Sequence, residues 1–261
     1  MGYADTHIHS LHSGDGSATV RAILKQAADI GLNVIAITDH DAINGSLEAR
    51  ELASHYNLEV VTGVEVSTSE GHLLALYVEQ LPPAGRSLGD TLLWIGYHGG
   101  LAVAPHPFTD LPLSLTLQSV INVFHEPRIK GVLQGIETYN HSTRGFNKTA
   151  EKLSVYLPLA KMAGSDAHLY WAVGMGRTYF PGSSAADLRD AIGQARTSAI
   201  PFEGAMPSHP LLSLARRLIL RKFFGYASDA PSASLPVDTQ RVPAEMLQKA
   251  RESFRRKKKP S

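Results

Sequence analysis

Asp5, His7 and His9 fall on alternate residues of the segment DTHIHS. Alternate side chains of a strand share a side, so the two imidazoles can grip one metal ion while Asp5 orients the far nitrogen of a ligating histidine. Further candidates are spread along the chain. Asp15 lies in the turn SGDG, His40 follows Asp39 in TDHD, Glu65 lies in GVEV, and His72 starts a strand. His106 is enclosed by Pro105 and Pro107, and Asp166 and His168 share the segment GSDAH. Most of these place an ionisable group beside a strongly apolar run. Burying so many without partners would cost roughly several kcal/mol each. Metal coordination relieves the desolvation of the carboxylates and uses the neutral imidazoles as ligands, so the pattern predicts a polynuclear metal site. The 261 residues contain 12 His and no Cys. That excludes disulfides, thiolate nucleophiles and Cys-ligated zinc or iron–sulfur sites, and leaves nitrogen and oxygen ligands for borderline or hard ions.

Such a site needs a scaffold that gathers distant residues. Short apolar runs at 33–38, 59–67, 72–78, 101–104, 132–138, 160–163 and 177–180 read as strands. Helical patterns occupy about 20–30, 45–55, 88–97, 144–154 and 184–195, an alternation that predicts an α/β fold. The chemically loaded residues stand at strand ends: His7 and His9 after the first, Asp39 and His40 after the second, Glu65 near the end of the third. His106 follows the run ending at Ala104, Glu137 closes the 132–138 run, and Asp166 with His168 follows the last strong one. Convergence of strand ends on one face predicts a distorted βα barrel, since an open sheet collects its ligands at a single crevice.

The length fits one large domain or a domain with an appendage, and 43% hydrophobic with 19% charged residues excludes wholesale disorder. The formal charge of +1 hides two unlike parts. Residues 1–204 carry 13 basic against 20 acidic side chains, a net of −7, and residues 205–261 carry 12 against 4, a net of +8. The expected organisation is therefore a barrel over 1–204, an amphipathic helix over 205–227 and a Pro- and Ser-rich linker with a basic tail over 228–261. The acidic body argues against a body-wide nucleic-acid surface, whereas the tail leaves nucleic acid or an anionic membrane open as a local partner. With no apolar leader and no run near the ~18 residues of a membrane span, the expectation is a cytoplasmic protein.

The motifs DTHIHS, SGDG, ITDHD, GVEVS, APHP and GSDAH, in that order, resemble the polymerase and histidinol phosphatase (PHP) superfamily of metal-dependent phosphoesterases. The resemblance covers about residues 3–203. It implies a distorted (βα)7 barrel, here with a C-terminal helical and basic extension, holding two to three Zn, Mn or Fe ions. By position, His7, His9 and Asp166 resemble ligands of one metal, with Glu65 bridging to a second held also by Asp15 and His40. His72, His106 and His168 resemble the set for a third. Asp5 and Asp39 correspond to orienting residues, and Glu137 matches a recurrent strand end whose contact with the site is left open.

The mechanism implied is attack on phosphorus by a metal-bridged hydroxide, with His72 or His168 free to protonate the leaving alkoxide. Arg177 and Arg144, which follow the last ligand pair and Glu137 respectively, are candidates for the substrate phosphate. His12 and His141 are candidates for substrate or metal contact, while His55, His98, His125 and His209 fit ordinary solvated or packing roles. The leading expectation is hydrolysis of a small phosphomonoester or cyclic phosphodiester, nucleotide-like. The alternatives are a 5′-end or single-strand nuclease using the basic tail, and a non-catalytic metal-stabilised PHP module.

Overall fold

The structure, a computed structural model, describes residues 1–109 and 113–203. The helix expected over 205–227, the linker and basic tail of 228–261 and His209 lie outside the described residues. Within them, no helix is long and apolar enough to cross a membrane.

Helix α1 (Val20–Asp29) forms because Val20, Ile23, Leu24 and Ala27 recur at helical spacing and are all buried, while the Thr19 side chain accepts from the Ala22 N–H at its start. Ser87 and Thr116 cap α3 (Leu88–Tyr97) and α4 (Leu117–Phe124) in the same way. At α6 (Ala185–Gly193) Ser184 and Asp187 make a reciprocal capping box. The remaining helices are α2 (Asn44–Leu52) and α5 (Asn147–Ser154), the latter preceded by a 3-10 turn over Arg144–Phe146. The sequence reading missed α4.

The strands form two five-stranded sheets. In the first, β1 (Gly2–Asp5), β2 (Val34–Ile35) and β3 (Glu59–Val60) run parallel; β9 (Gly176–Phe180) pairs antiparallel with β1, and β10 (Ser198–Pro201), also missed by the sequence reading, pairs antiparallel with β9. In the second, β4 (Gly63–Thr68), β5 (Gly71–Leu76) and β6 (Leu101–Ala104) are antiparallel neighbours, followed by β7 (Leu133–Asn140) and β8 (Ala160–Gly164) in parallel.

Of the expected distorted (βα)7 barrel the mixed α/β architecture is present, but among the described residues no continuous ladder joins the two sheets into a closed ring. One seam falls where the single strand expected over 59–67 breaks after Val60, so that β3 and β4 belong to different sheets. Across it runs one isolated parallel bridge, His40 to Glu65. At the other seam the Thr178 hydroxyl of β9 takes the place of a ladder, accepting from the Ala163 N–H and donating to the Ala163 carbonyl of β8, both at 3.0 Å. A second isolated bridge, Ile8 to Ala167, lies beyond it. Both bridges involve or flank candidate ligands. The sheets nevertheless share one apolar interior, where Ala4, Val34 and Phe180 of the first meet Leu74, Val103 and Met162 of the second. Each large side chain fully buried there contributes about 1.5–3 kcal/mol. That shared packing, rather than backbone pairing, holds the rims together around the polar cluster.

Candidate metal centre

Beyond β1 the chain stays extended, so Ile8 packs into the apolar cluster against α1 while His7 and His9 point the other way. Glu65, in the middle of β4, is fully buried beneath them. Its Oε2 lies 3.1 Å from His7 Nε2, 3.2 Å from His9 Nε2 and 3.3 Å from His40 Nδ1. Its Oε1 lies 2.9 Å from His72 Nδ1 and 3.1 Å from His106 Nε2. His72 reaches Glu65 because β5 runs antiparallel to β4: His72 pairs with Ser67, two residues from Glu65 on the same face, so the start of β5 meets the end of β4. His72, at the start of its strand as the sequence has it, thus enters the site from an antiparallel strand rather than from the end of a parallel one.

Asp166 closes the group from the far side, 3.5 Å from His7 Nε2 and 3.3 Å from His9 Nε2 through Oδ1. A third set stands beside it, with Asp15 Oδ2 2.8 Å from His168 Nε2 and 3.3 Å from His40 Nε2. Exposure locates the opening. The side chains of His7, His9 and Glu65 are 0% exposed, whereas Asp15, His40 and His168 are 35%, 27% and 25% exposed. Two ligand-bearing residues hold backbone conformations that side chains rarely adopt, Asp166 at φ 52° and His106 at φ 28°, the kind of strain that concentrates at functional sites.

The electrostatics are those of a coupled cluster. Burial alone would lower the imidazoles, but the surrounding carboxylates outweigh it. Glu65, Glu137 and Asp166 raise His7 well above its ordinary value, and Asp166 and Glu65 push His9 up to about 9. Burial likewise opposes ionisation of the acids, yet His7, His106 and His72 hold Glu65 well below the carboxylate range. His7 and His9 do the same for Asp166, and His168 and His40 for Asp15.

The donor set fits divalent metal ions. Each of the groups His7, His9, Asp166; His9, Asp15, His40, His168; His7, Glu65, His106; and His40, Glu65, His72 brings its ligand atoms within 4.8 Å of one another. Metal–ligand bonds of ~2.0–2.2 Å give ligand-to-ligand edges of about 3.0–3.5 Å, the spacing found around Glu65 Oε2 and Asp166 Oδ1. His9 Nε2 and His40 Nδ1 are buried without a hydrogen-bond partner although each faces a carboxylate, an arrangement that metal coordination would satisfy.

The sequence model of the PHP domain matches residues 5–163, more than half of the chain. The chain belongs to the PHP domain family. A PHP-associated model matches residues 144–197. An uncharacterized protein of Methanocaldococcus jannaschii is 36% identical over 145 residues, 48% of this chain and 85% of that one. The phosphoribosyl 1,2-cyclic phosphate 1,2-diphosphodiesterase of Eggerthella lenta is 42% identical over 95 residues, 34% of this chain and only 36% of that enzyme. In fold, the chain resembles a two-domain protein of Bacteroides vulgatus containing a predicted PHP-like metal-dependent phosphoesterase. The TM-score is 0.65 at 19% identity, over 81% of this chain and 68% of that one.

Several residues of this PHP domain stand elsewhere than the sequence placed them. His168 joins Asp15 and His40, not His72 and His106. Asp5 bonds no imidazole; its carboxylate, pushed up to about 6 by burial, accepts from the backbone N–H groups of His7, Ser165 and Gly174 and so pins β1 to the turn bearing Asp166. Glu137 does what was expected of Asp5, lying 3.0 Å from His7 Nδ1 through Oε1 while Oε2 accepts from the His106 N–H at 2.8 Å. Asp39 accepts from the N–H and hydroxyl of Ser10 and bonds no histidine.

Arg177 turns its Nε to its own Gly174 carbonyl and alternates with Thr178 to the face of β9 shared with Tyr179. Its described contacts do not reach the cluster. His12 pairs with Glu48, His55 with the Leu52 carbonyl, and His98 with the Trp94 carbonyl, while His125 follows α4; none touches a candidate ligand. Asn140 and Ser13 were missed. Asn140 donates to Glu137 Oε2 at 2.8 Å, and Ser13 donates to Asp15. Ser13 sits in the same SGDG turn and was legible as a local partner; Asn140 was not, because a register shift between Glu137 and Tyr139 breaks the period-two alternation of β7.

Proposed function

We propose that this PHP-family hydrolase of phosphoric esters cleaves a small phosphomonoester or cyclic phosphodiester at the cluster centred on Glu65. The observation that carries the reading is the buried Glu65 carboxylate shared by five imidazoles, with Asp166 and Asp15 completing sets of which Asp15, His40 and His168 are the most exposed members. The sets His7, Glu65, His106 and His40, Glu65, His72 would each hold a divalent ion at Glu65, and the sets His7, His9, Asp166 and His9, Asp15, His40, His168 offer the remaining positions. Ions bound there supply Lewis acidity, neutralising charge on the phosphoryl oxygens and acidifying water.

The chain's own residues do the rest. Glu137 fixes the tautomer of His7 by accepting a hydrogen bond from Nδ1–H, which leaves Nε2 as the ligand atom. Asp5 and Asp39 anchor the backbone on which His7, Asp166 and His40 stand. Substrate enters over Asp15, His40 and His168, and where no third ion is held, His168 Nε2 delivers the proton to the leaving oxygen. Small esters are favoured because between Thr68 and Leu101 the chain makes only β5 and α3, so no inserted subdomain overhangs the opening. The Eggerthella relative, named for a phosphoribosyl cyclic phosphate, is consistent with that class. Glu65→Gln should lower both bound metal and phosphate release across a panel of nucleotides, cyclic nucleotides and sugar phosphates. Full metal stoichiometry with an unchanged rate would overturn the bridging role of Glu65.

A further inference from the structure

At the rim next to Asp166, β7 ends in a segment that the roles above leave unused. His141 is buried, and its backbone N–H donates to the Gly164 carbonyl at 3.1 Å, two residues before Asp166. Ser142 Oγ donates to the Asp166 carbonyl at 2.9 Å. Asn140 fixes this segment twice: its Nδ2 donates to Glu137 Oε2, while its Oδ1 accepts from Thr143 N at 3.0 Å and Thr143 Oγ1 at 3.2 Å. Since Glu137 also holds His7 and the His106 N–H, the turn carrying His141 to Arg144 is keyed to the same frame as the candidate ligands. Arg144 is exposed, and its charge reaches His141, as does that of Asp166.

We propose that His141 and the exposed Arg144, on the turn that Asn140 ties to Glu137, form the subsite that recognises the substrate's phosphoryl group, with Asn140 as a positioning residue. The inference rests on the phosphoesterase reading and adds to it which side of the opening takes the anion. A cluster rich in carboxylates repels a phosphate dianion at long range, and an exposed guanidinium on the adjoining turn offers a fork of donors matched to phosphoryl oxygens. Burial and the Arg144 charge push His141 down while Asp166 pushes it up, with a net lowering, and its ring packs edge-on against Phe202. Its Nδ1 lies 3.4 Å from the Tyr139 hydroxyl.

The test is calorimetric titration of inorganic phosphate into the metal-loaded full chain, with steady-state hydrolysis of p-nitrophenyl phosphate alongside. Arg144→Ala should weaken phosphate binding and raise KM by roughly 10–100-fold, with kcat changed far less and metal per chain unchanged. Arg144→Lys should fall between the two, and His141→Ala should weaken phosphate binding in the same direction. Wild-type phosphate affinity in both alanine variants, with hydrolysis intact, would overturn the subsite and leave the phosphoesterase reading standing. A wild-type chain that binds metal but neither binds phosphate nor cleaves any ester would overturn both.

Discussion

Metal binding at this cluster should be strongly proton-coupled, and the structure sets the size of the effect. In the metal-free chain His9 has a pKa of about 9 and His7 lies well above its ordinary value, because Glu65 and Asp166 face both rings and Glu137 faces His7. At pH 7 His9 is then protonated, and removing that proton costs a few kcal/mol, at roughly 1.4 kcal/mol per pH unit. Glu65, Asp15 and Asp166 are held below the carboxylate range and have no protons left to give near neutrality. Below the imidazole pKa values, each displaced proton makes apparent affinity fall tenfold per unit drop in pH. Two protons, from His7 and His9, give about a hundredfold between pH 7 and pH 6. Affinity should rise with pH throughout that range. Titrating Mn²⁺ or Zn²⁺ into chelator-treated protein, in buffers of different ionisation enthalpy at pH 6, 7 and 8, counts the protons directly. Release of none, with affinity flat across that range, would refute the coupled cluster.

The same shifts predict how the metal-free chain responds to pH. His9 is raised, so its contribution to stability is complete below its unfolded value near 6.5 and is lost as pH rises through about 9; Glu65 and Asp166 are lowered, so theirs is present above about 4–4.5 and lost as pH falls. Thermal unfolding in chelator should show maximal stability between about pH 4 and 6.5; a midpoint that climbs from pH 6.5 to 9 would contradict this. Thr178→Val should cost about 1–3 kcal/mol in urea unfolding, since it leaves the buried Ala163 N–H without the hydroxyl that joins β8 to β9. An unchanged unfolding midpoint would show that the seam does not depend on it. Gly164→Ala places a Cβ against Glu137 Oε1 and the Cβ of His7. Metal affinity, read by calorimetry, should fall about 10–100-fold through displacement of the Glu137 to His7 contact, and unchanged affinity would argue against that contact as the orienting one.

The candidate ligands were legible because their physics is local. An ionisable residue beside an apolar run must be partnered, and His7 and His9 announced their shared side by alternation alone. Which partner each would find was not local. His168 went to Asp15 rather than to His72 because Ser17 bonds the His168 carbonyl, tying the SGDG turn to that loop. Glu137 displaced Asp5 as the partner of His7 because Asp5 is consumed by three backbone N–H groups. The barrel expectation followed correctly from alternating strands and helices but carried no information on strand direction. Antiparallel β5 and β9, and the break between β3 and β4, depend on long-range pairing that the periodicity of one run cannot reveal. Helix α4 and strand β10 are short and went unread.

The central claim is that the carboxylate of Glu65 organises a polynuclear metal site. Anomalous scattering from crystals soaked in Mn²⁺ or Zn²⁺ tests it most directly. The account predicts at least two peaks within bonding distance of the Glu65 carboxylate oxygens, one shared with His7 and His106 and one with His40 and His72. Peaks elsewhere on the chain, with none at Glu65, would contradict it.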